Sequence, residues 1–207
     1  MYSMSVRTLA ISLLSTIATC MAQHSVLSLP YNFTIAALNT TFSGVNANRT
    51  GVPLVLGQNG ATTGASFYVT STYASYPYND YPSMALMRGS LRAFTSEGEW
   101  LTNATAMRSG RPLGWITSRY YTQPAAKGYS AVRVPTEIFP LLATHGFAHL
   151  WSLCRFPGFR GQTNVVFNVS ADIPLPPYLE FDPADCYPVT LNIIRVYWQM
   201  TIGFHLQ

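Results

Sequence analysis

Short apolar runs rich in β-branched and aromatic residues recur along this 207-residue chain, separated by clusters of Gly, Pro, Asn and Ser. Runs of this kind, bounded by turn residues, predict β-strands. We expect strands over residues 31–38, 53–57, 66–70, 84–87, 90–94, 98–101, 114–117, 130–134, 148–153, 164–170 and 187–194. Their spacing of about ten residues favours an all-β, single-domain β-sandwich or barrel-like fold, with a β-trefoil as the alternative.

Turn and helix signals complete this pattern. Asn59-Gly60 is the strongest hairpin dipeptide in the chain, and the Gly-rich stretch 57–64 around it predicts a hairpin and loop. That stretch lacks the Lys-Ser/Thr of a phosphate-binding loop. No helical period extends over three turns, although residues 135–143 could form a short helix.

The two ends of the chain differ from the region between them. Residues 1–22 have the features of a secretory signal peptide: Arg7, a short apolar core and a small residue at Ala22. We therefore expect a secreted β domain over residues 23–194, with no membrane span once the leader is removed. Apolar and polar residues alternate over 195–207, which leaves an extra strand and a loose extension both open.

Charged residues make up only 10% of the chain, and the formal net charge is +4. The arginines are scattered and form no basic run, so the phosphate contacts of a nucleic-acid-binding protein are not predicted. A secreted protein can keep a surface with so little charge hydrated through glycans and hydroxyl groups. Asn-x-Ser/Thr sequons make Asn32, Asn39, Asn48, Asn103 and Asn168 candidate glycosylation sites.

Three cysteines are present, and Cys20 lies within the predicted leader. Its removal leaves Cys154 and Cys186, which we expect to pair in an oxidising compartment. Two reduced, buried thiols are the alternative.

Motifs for catalysis or metal binding are weak. His145 and His149 are four residues apart, but Gly146 between them argues against a helix that would hold both on one metal. Carboxylate pairs that would suit a secreted hydrolase are Glu97 with Glu99, and Glu180 or Asp182 with Asp185. We find no nucleophile elbow or zinc-protease motif. We therefore predict no catalytic residues, no cofactor and no metal.

Residues 68–82 are unusually rich in tyrosine and proline. Tyrosine rings on an exposed loop can stack on sugars, which makes this segment the first choice for a carbohydrate contact surface. The candidate contact residues are Tyr73, Tyr76, Tyr78 and Tyr81.

Three blocks, residues 146–154, 164–170 and 181–186, resemble the C-terminal part of small secreted fungal cell-wall proteins of the PhiA-like (phialide cell-wall protein) type. Residues 52–57 and 70–82 are more similar to uncharacterised secreted proteins of mushroom-forming fungi. The resemblance spans about residues 31–194 and implies no catalytic residues. We therefore expect a secreted, N-glycosylated structural protein of the cell surface or wall. A carbohydrate-binding module is the alternative, with cell-wall polysaccharide as partner, and a secreted hydrolase is less favoured.

Overall fold

The computed structural model describes residues 24–41, 44, 46–99, 102–118, 124–158, 161–169 and 181–197. The predicted leader and most of the predicted C-terminal extension lie outside these residues. The strands are His24–Val26 (β1), Phe33–Asn39 (β2), Val52–Thr62 (β3), Ala65–Thr72 (β4), Ser83–Met87 (β5), Ser90–Phe94 (β6), Thr102–Ala104 (β7), Arg111–Pro112 (β8), Gly114–Ser118 (β9), Tyr129–Arg133 (β10), Leu141–Thr144 (β11), Trp151–Phe156 (β12), Gln162–Phe167 (β13) and Tyr187–Arg195 (β14). A short 3-10 helix covers Pro183–Asp185.

The strands form a closed nine-stranded β-barrel, so the prediction of an all-β, barrel-like fold is confirmed. The ring runs β4-β9-β7-β6-β5-β2-β14-β12-β13 and returns to β4. β3 pairs with both β4 and β2, and β1, β10 and β11 extend from β14. One ring of nine strands is a different arrangement from the three similar hairpin units of a β-trefoil.

All neighbours in this ring pair in the antiparallel sense. Two junctions consist of a single paired position: Phe33 with Met84 between β2 and β5, and Ser71 with Asn164 between β4 and β13. The second of these junctions lies beneath the groove described below.

Inward-facing side chains fill the barrel with one continuous apolar core. This core includes Val189, Leu191 and Ile193 of β14, because every second side chain of a strand points to the same face of the sheet. Trp115 and Trp151 are both buried, and each indole N–H has a partner: Thr70 Oγ1 at 2.8 Å and the Leu142 carbonyl at 2.9 Å. Buried indoles satisfied in this way add packing area without an unpaired donor.

A disulfide joins Cys154 and Cys186, with the two sulfur atoms 2.06 Å apart, as predicted from the sequence. It connects β12 to the segment that precedes β14. Phe156 and Phe181 pack beside it with their ring centroids 4.9 Å apart, so the bridge lies in a small apolar cluster of its own.

One local prediction needs correction. Asn59-Gly60 does not form the hairpin turn: Gln58 pairs with Tyr68 and Gly60 with Phe67, which leaves Asn59 as the extra residue of a β-bulge inside β3. The turn comes at Thr63 and Gly64, and Gly64 has the positive φ, +85°, that a tight turn requires.

Residues 135–143 form no helix. The Glu137 N–H donates to the Val134 carbonyl at 3.0 Å in a turn, and β11 begins at Leu141. Pro135 and Pro140 explain this result, because proline lacks the N–H a helix needs and disfavours a helical conformation in the residue before it.

Candidate functional site

A groove of about 430 Å³ lies between the bulged part of β3, the loop that follows β4, and the segment before β13. Its described lining contains amide side chains, tyrosines and small residues, and none of these residues is charged. The lining residues are Gln58, Asn59, Gly60, Ala61, Tyr76, Tyr78, Gly158 and Gln162. We call this the tyrosine groove.

Hydrogen bonds around Ser75 fix the loop that carries the tyrosines. The Ser75 hydroxyl donates to the Thr72 carbonyl at 3.0 Å and accepts from the Thr163 N–H at 2.9 Å, so it ties the loop to β13. The N–H of Tyr76 also donates to the Thr72 carbonyl, at 3.1 Å. Because these bonds hold the backbone, little conformational freedom remains to be lost when a ligand binds.

The two tyrosines of the groove contact each other edge to face, with ring centroids 5.1 Å apart and an interplanar angle of 64°. Tyr76 is half-buried, whereas Tyr78 has 61% of its surface exposed. One ring therefore supports the other, and the outer ring presents an apolar surface to solvent.

A buried polar cluster supports the groove from below. Ser71, Gln162 and Asn164 are all buried, and the Ser71 hydroxyl lies 2.6 Å from Asn164 Oδ1 and 3.1 Å from Gln162 Oε1. Gln162 Nε2 donates to the Gln58 carbonyl at 3.2 Å, which links the cluster to the β3 wall. Asn164 Nδ2 is buried without a hydrogen-bond partner among the described residues.

Gly57 is required for this packing. A Cβ at Gly57 would lie 2.5 Å from Ser71 Oγ and 2.8 Å from Gln162 Oε1, distances that real Cβ atoms do not tolerate. The absence of a side chain at this position lets β3 lie close to the polar cluster.

The four tyrosines predicted to contact sugar lie in different surroundings in the structure. Tyr76 and Tyr78 line the groove, and Tyr73 is 47% exposed on the same loop but is outside the lining. Tyr81 needs correction: it is buried in the barrel core, lies edge-on to Tyr68 at 5.3 Å, and its hydroxyl is 3.2 Å from Thr117 Oγ1. The Tyr68 pKa is raised, first by burial and then by its hydrogen bond with Tyr81.

The candidate metal and acid residues are dispersed. His145 and His149 are exposed in the segment after β11, and His145 Nε2 is 3.2 Å from the Met107 carbonyl. The described residues contain no group of three potential metal ligands. Glu97 and Glu99 lie on an exposed turn, where the Ser96 hydroxyl donates to Glu97 and lowers its pKa.

The other predicted acid pair lies at the disulfide. Asp182 Oδ1 accepts from the Ala184 N–H at 2.9 Å and so caps the 3-10 helix, and Asp185 is the last residue of that helix. Glu180 lies outside the described residues. Asp182 and Asp185 are not part of the described lining of the tyrosine groove.

The five sequon asparagines lie in different surroundings. Asn48 is exposed, whereas Asn32, Asn39, Asn103 and Asn168 are half-buried. Nδ2 of Asn32 lies 3.5 Å from Ser83 Oγ, and Nδ2 of Asn168 donates to Ser109 Oγ at 2.9 Å.

Six of the eight described lining residues of the tyrosine groove were not predicted from the sequence. Gln58, Asn59 and Gly60 belong to the Gly-rich stretch interpreted as a hairpin, and Gln162 and Gly158 come from a distant part of the chain. A signal was present, because a Gly-Gln-Asn-Gly sequence inside an apolar run is typical of a bulge, and bulges are common beside functional sites.

No family model, curated protein or solved structure matches this chain. In the part of the chain that the structure describes, no helix has the length and apolar character needed to cross a membrane.

Proposed function

We propose that the protein is a secreted, non-catalytic component of a cell surface or wall, and that it holds a neutral polysaccharide in the tyrosine groove. The observation that carries this proposal is the chemistry of the groove. Its described lining has two aromatic rings, three amide side chains and two glycines, and no charge. Amide groups both donate and accept hydrogen bonds, which matches the hydroxyl groups of a neutral sugar.

The shape of the groove supports the same occupant. A volume of about 430 Å³ falls within the range of roughly 300–1,000 Å³ that is usual for small-ligand sites. The Tyr78 ring is exposed and braced by Tyr76, so it offers a rigid surface to the C–H face of a sugar ring. Gly60 and Gly158 leave room for a chain to pass close to the backbone.

Export of the protein is the second part of the proposal. The Cys154–Cys186 disulfide is typical of oxidising compartments. The predicted leader, the five sequons and the low content of charged residues agree with an extracellular location. The resemblance to secreted fungal wall proteins points to the same place.

The test is a pull-down of the purified protein on insoluble neutral wall polysaccharides, namely β-glucan, mannan and chitin. We expect wild type to bind at least one of them. Tyr78→Ala should weaken binding about 2- to 12-fold, since an aromatic contact of this kind contributes about 0.5–1.5 kcal/mol.

Tyr73→Ala is the matched control, because Tyr73 is exposed on the same loop but does not line the groove. It should bind like wild type. Equal losses in Tyr73→Ala and Tyr78→Ala, or no binding of wild type to any of the three polysaccharides, would reject the proposal.

A further inference from the structure

A second groove, of about 370 Å³, lies near the end of β2 and the segment before β11. Two sequon asparagines, Asn39 and Asn48, line it together with the apolar side chains of Ile138 and Phe139. Ile138 is 53% exposed, and Phe139 is half-buried. We call this the sequon groove.

Hydrogen bonds set the orientation of the Asn48 side chain. Its Oδ1 accepts from the Thr50 N–H at 2.9 Å and from the Gly51 N–H at 3.0 Å, which forms an Asx turn. The turn is anchored to the barrel, because the Thr50 carbonyl accepts from the buried Asn192 Nδ2 at 2.9 Å. Both of these bonds, the ones that the Asn48 side chain makes with described residues, use Oδ1, whereas a glycan attaches to Nδ2.

The other sequons are placed less favourably. Asn168 Nδ2 is occupied as a donor to Ser109 Oγ. Asn103 lies within β7, and its Oδ1 is buried. Asn39 Oδ1 also accepts a backbone N–H, from Thr41 at 2.8 Å, but Asn39 is half-buried whereas Asn48 is exposed. Asn32 is half-buried as well, and its Nδ2 lies 3.5 Å from Ser83 Oγ.

We propose that Asn48 is the principal N-glycosylation site of this chain, and that the first sugars of its glycan lie in the sequon groove against Ile138 and Phe139. In the transfer, Asn48 Nδ2 forms a bond to the anomeric carbon of an oligosaccharide carried on a lipid diphosphate. The amide loses a proton and the lipid diphosphate leaves. The C–H face of the first sugar then covers apolar side chains that are otherwise exposed to water.

Occupancy is tested by expressing the full chain in a eukaryotic secretory host and analysing the peptides by mass spectrometry after enzymatic glycan release. We expect the Asn48 peptide to show the highest occupancy of the five. Asn48→Gln should lower the mass of the secreted protein by one glycan, and Asn103→Gln should change it less. An unmodified Asn48 peptide, whether or not another sequon carries a glycan, overturns the proposal.

The position of the glycan is tested by removing it from the folded protein. Deglycosylation should lower the Tm of wild type by a few degrees, because it exposes Ile138 again, and it should lower the Tm of Ile138→Ser by clearly less. Equal shifts in the two proteins would show that the glycan does not contact the groove. This inference shares with the proposed function only passage through the secretory pathway. Tyr78→Ala, which should lose polysaccharide binding, is expected to keep full occupancy at Asn48.

Discussion

Replacing Gly57 by alanine adds one methyl group at the point where β3 lies against the buried polar cluster. The new Cβ would be 2.5 Å from Ser71 Oγ and 2.8 Å from Gln162 Oε1. Neither side chain can move away without loss, since both are buried and the Gln162 amide also donates to the Gln58 carbonyl.

The expected cost follows from these contacts. Overpacking a tight site costs about 1–3 kcal/mol, and leaving one buried polar group without its partner costs about 1–3 kcal/mol more. The lower backbone entropy of alanine in the unfolded chain offsets about 0.4–1 kcal/mol. We therefore expect Gly57→Ala to be destabilised by about 1–5.5 kcal/mol, which corresponds to a Tm lower by roughly 2–20 °C for a chain of this size.

Gly60→Ala is the matched control on the same strand. A Cβ at Gly60 has its nearest neighbour, Phe67 Cδ2, at 4.0 Å, which is ordinary contact. This variant should be as stable as wild type or slightly more stable. The measurement is equilibrium unfolding in guanidinium chloride, followed by tryptophan fluorescence. Equal midpoints for the two variants would refute the packing described here for the floor of the tyrosine groove.

Three further predictions concern the bridge, the buried phenols and the ligand. Replacing Cys154 and Cys186 by alanine should cost about 3–4 kcal/mol through loop-closure entropy, seen as a lower Tm than that of the oxidised protein; an unchanged Tm would contradict this. Burial raises the pKa of Tyr129, and those of Tyr68 and Tyr187 are raised as well. The folded protein keeps these phenols protonated where the unfolded chain ionises them, so they add no pH dependence below about pH 10 and lower the stability above it. A denaturation midpoint that stays constant to pH 11 would count against their burial. Polysaccharide binding should be nearly the same in 50 mM and 500 mM NaCl, since a neutral ligand meets no charged side chain in the described lining of the groove; a steep salt dependence would point to a charged ligand.

Much of the fold could be predicted from the pattern of residues that lie close together in the sequence. The Arg88-Gly89 dipeptide forms the β5–β6 turn with φ values of 50° and 79°, and the period-2 alternation of residues 187–194 became β14. Both features depend on residues adjacent in sequence. Closure of the barrel could not be predicted, because it depends on pairings such as Ser71 with Asn164, which are distant in sequence.

The dependence on contacts between residues distant in sequence also explains the errors at the tyrosine groove. Asn59-Gly60 has the intrinsic preference of a hairpin turn, but pairing of β3 with β4 continues through it as a bulge, since the strands gain further ladder contacts before Gly64. Tyr81 belongs to a Tyr-rich segment, and only the fold determines that its ring is buried in the core. Burial, unlike composition, depends on which face of the barrel a residue occupies.

Backbone amide chemical shifts show most directly whether the tyrosine groove binds a neutral polysaccharide. A soluble oligosaccharide of whichever wall polysaccharide binds is titrated into isotopically labelled protein. We expect the largest shift changes at the amides of Asn59, Gly60 and Gly158, and much smaller changes at Gly51 beside the sequon groove. Shift changes centred on Gly51, or none in the tyrosine groove at saturation, would contradict the proposed binding.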